Sequence, residues 1–106
     1  MAVIKLTQAD AGRLIVARRG DDLLLELGAN PTTGFEWKVN LLEGQITLVS
    51  DEFVTQATTI GSGGLHRFKF SCSDLGAASI ELFHWRPWEG ESGIRSRPIF
   101  KLMIEQ

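Results

Sequence analysis

The chain has 106 residues, 43% of them hydrophobic and 23% charged, with a formal net charge of −2. That length buries roughly two-thirds of the unfolded surface, enough for a core without disulfide or metal staples, and the composition excludes a disordered chain. No basic stripe with interleaved aromatics points to nucleic acid, no apolar run reaches membrane-span length, and the single cysteine, Cys72, permits neither an intrachain disulfide nor a thiolate metal cluster.

Met1-Ala2-Val3-Ile4-Lys5 lacks the pattern of a signal peptide, because polar residues arrive within a few positions. The chain therefore reads as cytoplasmic as it stands, or periplasmic or secreted if a signal has been removed. Val3 to Thr7 predicts a first strand, ended by the turn-like Gln8–Gly12. Arg13 to Arg18 predicts a second, with Leu14 and Val16 on one face. Gly20-Asp21-Asp22 marks a tight turn before Leu23, Leu25 and Leu27, which alternate as a third strand. A helix over Leu14–Leu27 is the competing pattern, but Gly20 and two aspartates interrupt it, so a hairpin is expected.

Asn30-Pro31-Thr32-Thr33-Gly34 begins as a turn: Pro31 fixes its own φ and drives Asn30 away from helix, and Gly34 reaches conformations closed to other residues. From there Phe35, Trp37, Val39 and Leu41 alternate with Glu36, Lys38 and Asn40, the period of a half-buried fourth strand. Gln45 to Val54, rich in β-branched residues, predicts a fifth strand with a bend near Ser50-Asp51. A polar stretch closes with Gly61-Ser62-Gly63-Gly64. Phe68, Phe70 and Cys72 then alternate inward as a sixth strand, followed by the turn Ser73–Gly76.

Ala78 to Arg86 carries apolar residues on both faces, Ile80 and Leu82 against Phe83 and Trp85, which fits a seventh strand covered on both sides. Pro87 to Gly93 is a loop. Ile99 to Glu105 is the last strand, with Phe100, Leu102 and Ile104 inward and Pro98 at its start, where a missing donor costs least. Seven to eight short strands with turn signals every ten or so residues predict an all-β, immunoglobulin-like antiparallel β-sandwich, residues 1–106 forming one domain.

Three loops share a Gly- or Pro-rich composition and are expected at one pole. Asn30–Gly34 offers the hydroxyls of Thr32 and Thr33 on a constrained backbone. Gly63-Gly64 offers main chain with no side chain to obstruct another backbone. Arg86-Pro87-Trp88-Glu89-Gly90 offers an aromatic and a guanidinium, the types most enriched at binding hot spots. Taken singly, each has a plain structural meaning: a turn, a flexible hairpin loop, a core tryptophan. It is their conjunction that points to one protein-binding edge.

Asn30-Pro31-Thr32-Thr33-Gly34-Phe35 with Trp37, Gly61-Ser62-Gly63-Gly64 with Phe68, and Arg86-Pro87-Trp88-Glu89-Gly90 together resemble, in order and spacing, the three motifs of the chagasin family of inhibitors of papain-like cysteine peptidases. The resemblance implies a reversible, tight, competitive inhibitor whose partners are papain-like cysteine peptidases such as papain and cathepsin L-type enzymes. It implies that Thr32-Thr33 lie over the catalytic cysteine, that Gly63-Gly64 pair with cleft backbone, and that Trp88, aided by Arg86, packs on the primed side. No cofactor is expected, and a chain of this size without a large apolar surface pattern is expected to be a monomer.

Rival readings rest on less. Cys72 with His66 or His84 would suggest a thiol enzyme, but Cys72 continues the inward face of Phe68 and Phe70. The two histidines lie on separate strands with no third metal ligand nearby in sequence. No phosphate-cradling loop opens a helix. Arg19-Gly20-Asp21 matches an adhesion tripeptide, yet Gly20-Asp21 suits a turn. The principal alternative is a sandwich module that binds carbohydrate through Trp85 and Trp88, or a different protein partner.

Overall fold

The computed structural model describes residues 2–30, 33–55 and 64–106, and for Thr55 only the backbone. Among them, eight strands run in chain order: β1 Val3–Thr7, β2 Leu14–Arg18, β3 Asp22–Ala29, β4 Glu36–Glu43, β5 Ile46–Thr55, β6 Gly64–Cys72, β7 Gly76–Trp85 and β8 Ile99–Glu105. They form two four-stranded sheets, ordered β1-β3-β6-β5 and β2-β8-β7-β4. The sandwich expected from the alternation is present, and most neighbouring pairs are antiparallel.

The expected hairpin between β2 and β3 is not. β2 runs parallel to β8, with Leu14 to Arg18 beside Lys101 to Glu105, whereas β3 runs parallel to β1, with Val3 beside Asp22. The Gly20 turn thus carries the chain from one sheet to the other. Asp21 holds this crossing in place. Its buried carboxylate accepts backbone N–H groups from Arg18 and Ala2, each at 2.9 Å, while its own carbonyl accepts the Cys72 amide at 3.0 Å. Those amide bonds, Arg18 first and then Ala2, hold the carboxyl below its usual range. An Asp consumed in this way cannot be presented to a receptor, which removes the adhesion reading of Arg19-Gly20-Asp21.

The core lies between the sheets. Leu23, Leu25 and Leu27 of β3 and Phe68, Phe70 and Cys72 of β6 meet Ile80 and Leu82 of β7 and Phe100, Leu102 and Ile104 of β8, all buried. Burial raises the Cys72 thiol above its usual range, as do Asp21 and Asp22, so it stays a protonated core group and not a nucleophile. β7 sits between β8 and β4, and its outer face is covered as its composition suggested. Arg97 lies 5.1 Å above the buried Phe83 ring, and Lys38 lies 5.2 Å above Trp85.

Two bulges alter the predicted faces. In β4 the register slips between Val39 and Leu41, leaving Asn40 unpaired; its amide donates to Glu81 Oε1 at 2.9 Å. Beyond the slip the alternation reverses, so Leu42 packs against the core and Leu41, expected inward, is exposed. In β5 a second slip at Val49 puts the bend one residue before the position expected.

Candidate functional site

The stems of all three loops converge at one end of the sandwich. β3 ends at Ala29, which stands opposite Gly64, the first residue of β6; Gly64 also stands opposite Thr55, the last of β5. In the other sheet, Glu36 opens β4 opposite Trp85, which closes β7. Asn30, Thr33, Phe35, Gly64, His84 and Arg86 consequently border one cleft between the sheet ends.

The floor of this end is aromatic. Trp37 is buried and its indole N–H donates to the Gly28 carbonyl at 2.8 Å, tying β4 in one sheet to β3 in the other. His84 stacks on Trp37 at 4.3 Å between ring centroids, tilted by 18°, and meets Phe35 at 5.1 Å. Burial, with Arg95 nearby, lowers the His84 pKa, so the ring is neutral at pH 7. The guanidinium carbons of Arg86 and Arg95 lie 4.3 and 4.2 Å from the centroid of Phe35, within the range at which a ring attracts a cation. Phe35 itself is buried.

The rim is built on that floor. The hydroxyl of Thr33 donates to the Asn30 carbonyl at 2.8 Å and accepts the Phe35 amide at 3.4 Å, and the Thr33 amide also donates to Asn30 at 3.1 Å. Thr33 therefore spends its hydroxyl bracing the first loop from within. Gly34 follows with φ of +79°, open to glycine at little cost. A Cβ there would lie 2.3 Å from the tip of the Trp88 indole. The first loop thus needs glycine for its backbone and for the ring laid against it.

The third loop forms two 3-10 turns over Pro87–Gly93, broken at Gly90, whose φ is +67°. Pro87 opens the first turn, where a missing N–H costs nothing, and Glu89 N–H closes it on the Arg86 carbonyl at 3.0 Å. Arg86 then joins the loops: its Nε donates to the Thr33 carbonyl at 3.0 Å, and its guanidinium lies 3.8 Å from the Glu89 carboxylate. Trp88, 72% exposed, is the largest apolar group on this rim.

Among the residues singled out by sequence, Asn30, Thr33, Gly34, Phe35, Gly64, Arg86, Pro87, Trp88 and Glu89 are thus placed at one end. Pro31, Thr32, Gly61, Ser62 and Gly63 lie outside the described residues. Gly64 is a stem residue whose main chain already lies between two strands. His84 and Arg95 were not anticipated as site residues. His84 was legible in principle, since alternation places it on the face of Leu82 and Arg86. Arg95 carried no such signal: it reaches Phe35 because its amide donates to the His84 carbonyl at 2.8 Å, folding the segment after the third loop back along β7. Of the two tryptophans in the carbohydrate alternative, Trp85 is half-buried beneath Lys38, leaving Trp88 as the exposed one.

A family model for chagasin family peptidase inhibitors, I42, matches residues 16–104. The chain is 30% identical over 94 residues to chagasin of Trypanosoma cruzi, spanning 83% of this chain and 86% of that one. It is likewise 30% identical over 94 residues to amoebiasin-1 of Entamoeba histolytica, spanning 88% and 92%. The crystal structure of the Entamoeba histolytica cysteine protease inhibitor EhICP2 superimposes with a TM-score of 0.85 at 20% identity, covering 99% of this chain and 97% of that one. With a family match over most of its length, this chain belongs to the chagasin family of peptidase inhibitors.

Proposed function

We propose that the chain inhibits papain-like cysteine peptidases, reversibly and competitively, by seating the three-loop end of the sandwich in the active-site cleft. The observation that carries this reading is Trp88: a large aromatic, 72% exposed, on a loop joined to the first through Arg86 and Gly34. An exposed indole on a braced turn loses little freedom when it is buried by a partner, which favours tight association. Thr32-Thr33 take the position over the catalytic cysteine, with the Thr33 hydroxyl bonded to the Asn30 carbonyl inside the loop. The Gly61–Gly64 stretch supplies main chain to pair with cleft backbone, Gly64 being its fixed end.

Steady-state inhibition of papain and a cathepsin L-type peptidase, with a serine protease as control, tests this reading. The expected result is competitive inhibition of the cysteine peptidases alone, the inhibitor being recovered uncleaved. Absence of inhibition at micromolar inhibitor would overturn it.

A further inference from the structure

We infer that Arg95 is a positioning residue of the peptidase-binding edge: its guanidinium holds Phe35 and, through Phe35, keeps the first loop's Gly34 in register with the Trp88 ring. The inference rests on the three-loop reading above. Arg95 lies outside the three loop motifs, in the segment returning toward β8.

Its backbone is fixed to β7, with the Arg95 amide donating to His84 at 2.8 Å and the His84 amide donating to Ser96 at 2.9 Å. Its side chain is therefore delivered from a stiff element and not from a free loop. The guanidinium carbon stands 4.2 Å from the Phe35 centroid, beside that of Arg86 at 4.3 Å. A guanidinium laid on a ring face is attracted by the ring's quadrupole and covers the ring with its own plane. Phe35 is buried even though it is the first residue after the loop and precedes β4.

The path from Arg95 to the rim is short. Phe35 adjoins Gly34, and a Cβ on Gly34 would meet the Trp88 ring at 2.3 Å. The Phe35 amide donates to the Thr33 hydroxyl, and the Thr33 carbonyl accepts Arg86 Nε. Among the described residues, the Thr33–Arg86 hydrogen bond and the Gly34–Trp88 approach both lie within two residues of Phe35. A ring free to swing would take Gly34 away from Trp88. Arg86 divides its guanidinium among Phe35, the Thr33 carbonyl and Glu89, whereas the Arg95 guanidinium lies against the ring.

The close approach of Gly34 to the indole provides a readout in the free inhibitor. Gly34 lies against the Trp88 ring, so its Cα protons are expected to be displaced from ordinary chemical shifts by the ring current. Arg95→Ala is expected to move the Gly34 α-proton shifts toward ordinary values and to speed dissociation from papain by fivefold or more. The thermal unfolding midpoint should stay unchanged, and Arg95→Lys, which retains a cation, should recover part of both effects. Unaltered Gly34 shifts in Arg95→Ala would overturn the inference whatever the inhibition, since a direct contact with the enzyme would then be the cause. Unaltered dissociation would overturn it too, and so would a lowered unfolding midpoint, which marks a merely structural role. Trp88→Ala, measured in parallel, separates the two levels: full inhibition by that variant removes the three-loop reading itself, whereas lost inhibition with an indifferent Arg95→Ala removes only the role of Arg95.

Discussion

Trp37 and Trp88 stand at the same end of the molecule and do opposite work. Trp37 is buried, stacked on His84 and hydrogen-bonded to Gly28 of the other sheet. Trp88 is 72% exposed and lies against a glycine. The first ties the sheet ends together, so its burial is already counted in the folding free energy. The second leaves most of its apolar surface for a partner to cover. An inhibitor needs both kinds at one place: a floor rigid enough that the rim is not reshaped on docking, and a rim that has not spent its hydrophobic surface on the fold.

The comparison is most severely tested by exchanging the two costs. Trp37→Ala should lower stability by about 3–5 kcal/mol, the range for truncating a buried aromatic, and should also lose the tie to Gly28. Chemical denaturation will show this as a lower midpoint, and a midpoint near that of the parent would mean that the floor is not structural. Trp88→Ala should behave in the reverse sense. Inhibition is expected to weaken by about 2 kcal/mol or more, as for hot-spot aromatics, with stability changed by no more than about 0.5 kcal/mol. If Trp88→Ala unfolds early and inhibits normally, the assignments of floor and rim are exchanged.

Gly34→Ala probes the joint between them and should have a smaller effect. A residue at φ of +79° with a side chain is strained, costing more than about 1 kcal/mol at such positions, and its methyl would displace the Trp88 ring. Weaker inhibition without a change of fold is the expected outcome, read from the inhibition constant beside the circular dichroism spectrum. An unchanged constant would show that the ring need not rest where it does.

Much of this was legible because alternation is a local property. The inward sets on β3, β6, β7 and β8 follow the period of the sequence, and the three loops announce themselves through Pro31, Gly34, Gly64 and Pro87. What escaped depends on where the chain goes next. Arg13–Arg18 and Leu23–Leu27 look like the arms of a hairpin, because a Gly-Asp turn separates them. They part instead into different sheets, and the buried Asp21, bonded to Ala2 and Arg18, holds the crossing. Leu41 was misplaced because a bulge at Asn40 leaves no mark in an unbroken run of strand-like residues. Arg95 was invisible for a related reason: nothing in its neighbourhood says that the chain doubles back past Phe35.

His84 gives the finest test of the floor, since one proton can disturb it. It stacks on Trp37, meets Phe35, and has Arg95 near it and Arg86 bordering the same cleft. Burial first, and Arg95 second, lower its pKa below the ordinary 6.5. The unfolded chain then binds a proton at a pH where the folded chain does not, so stability rises with pH across that interval. On acidification stability is lost as the pH falls below about 6.5, and the loss levels off once the folded protein is protonated too. The buried Asp21 does not confuse the measurement: its carboxyl is lowered from 3.8, so its contribution is lost only at more acid pH. The thermal midpoint of the parent should therefore drop between pH 7 and pH 5, and His84→Phe, which keeps a ring on Trp37 without a titrating group, should drop less. Parallel curves for the two proteins would mean that the proton binds elsewhere and that the floor is indifferent to the charge of His84.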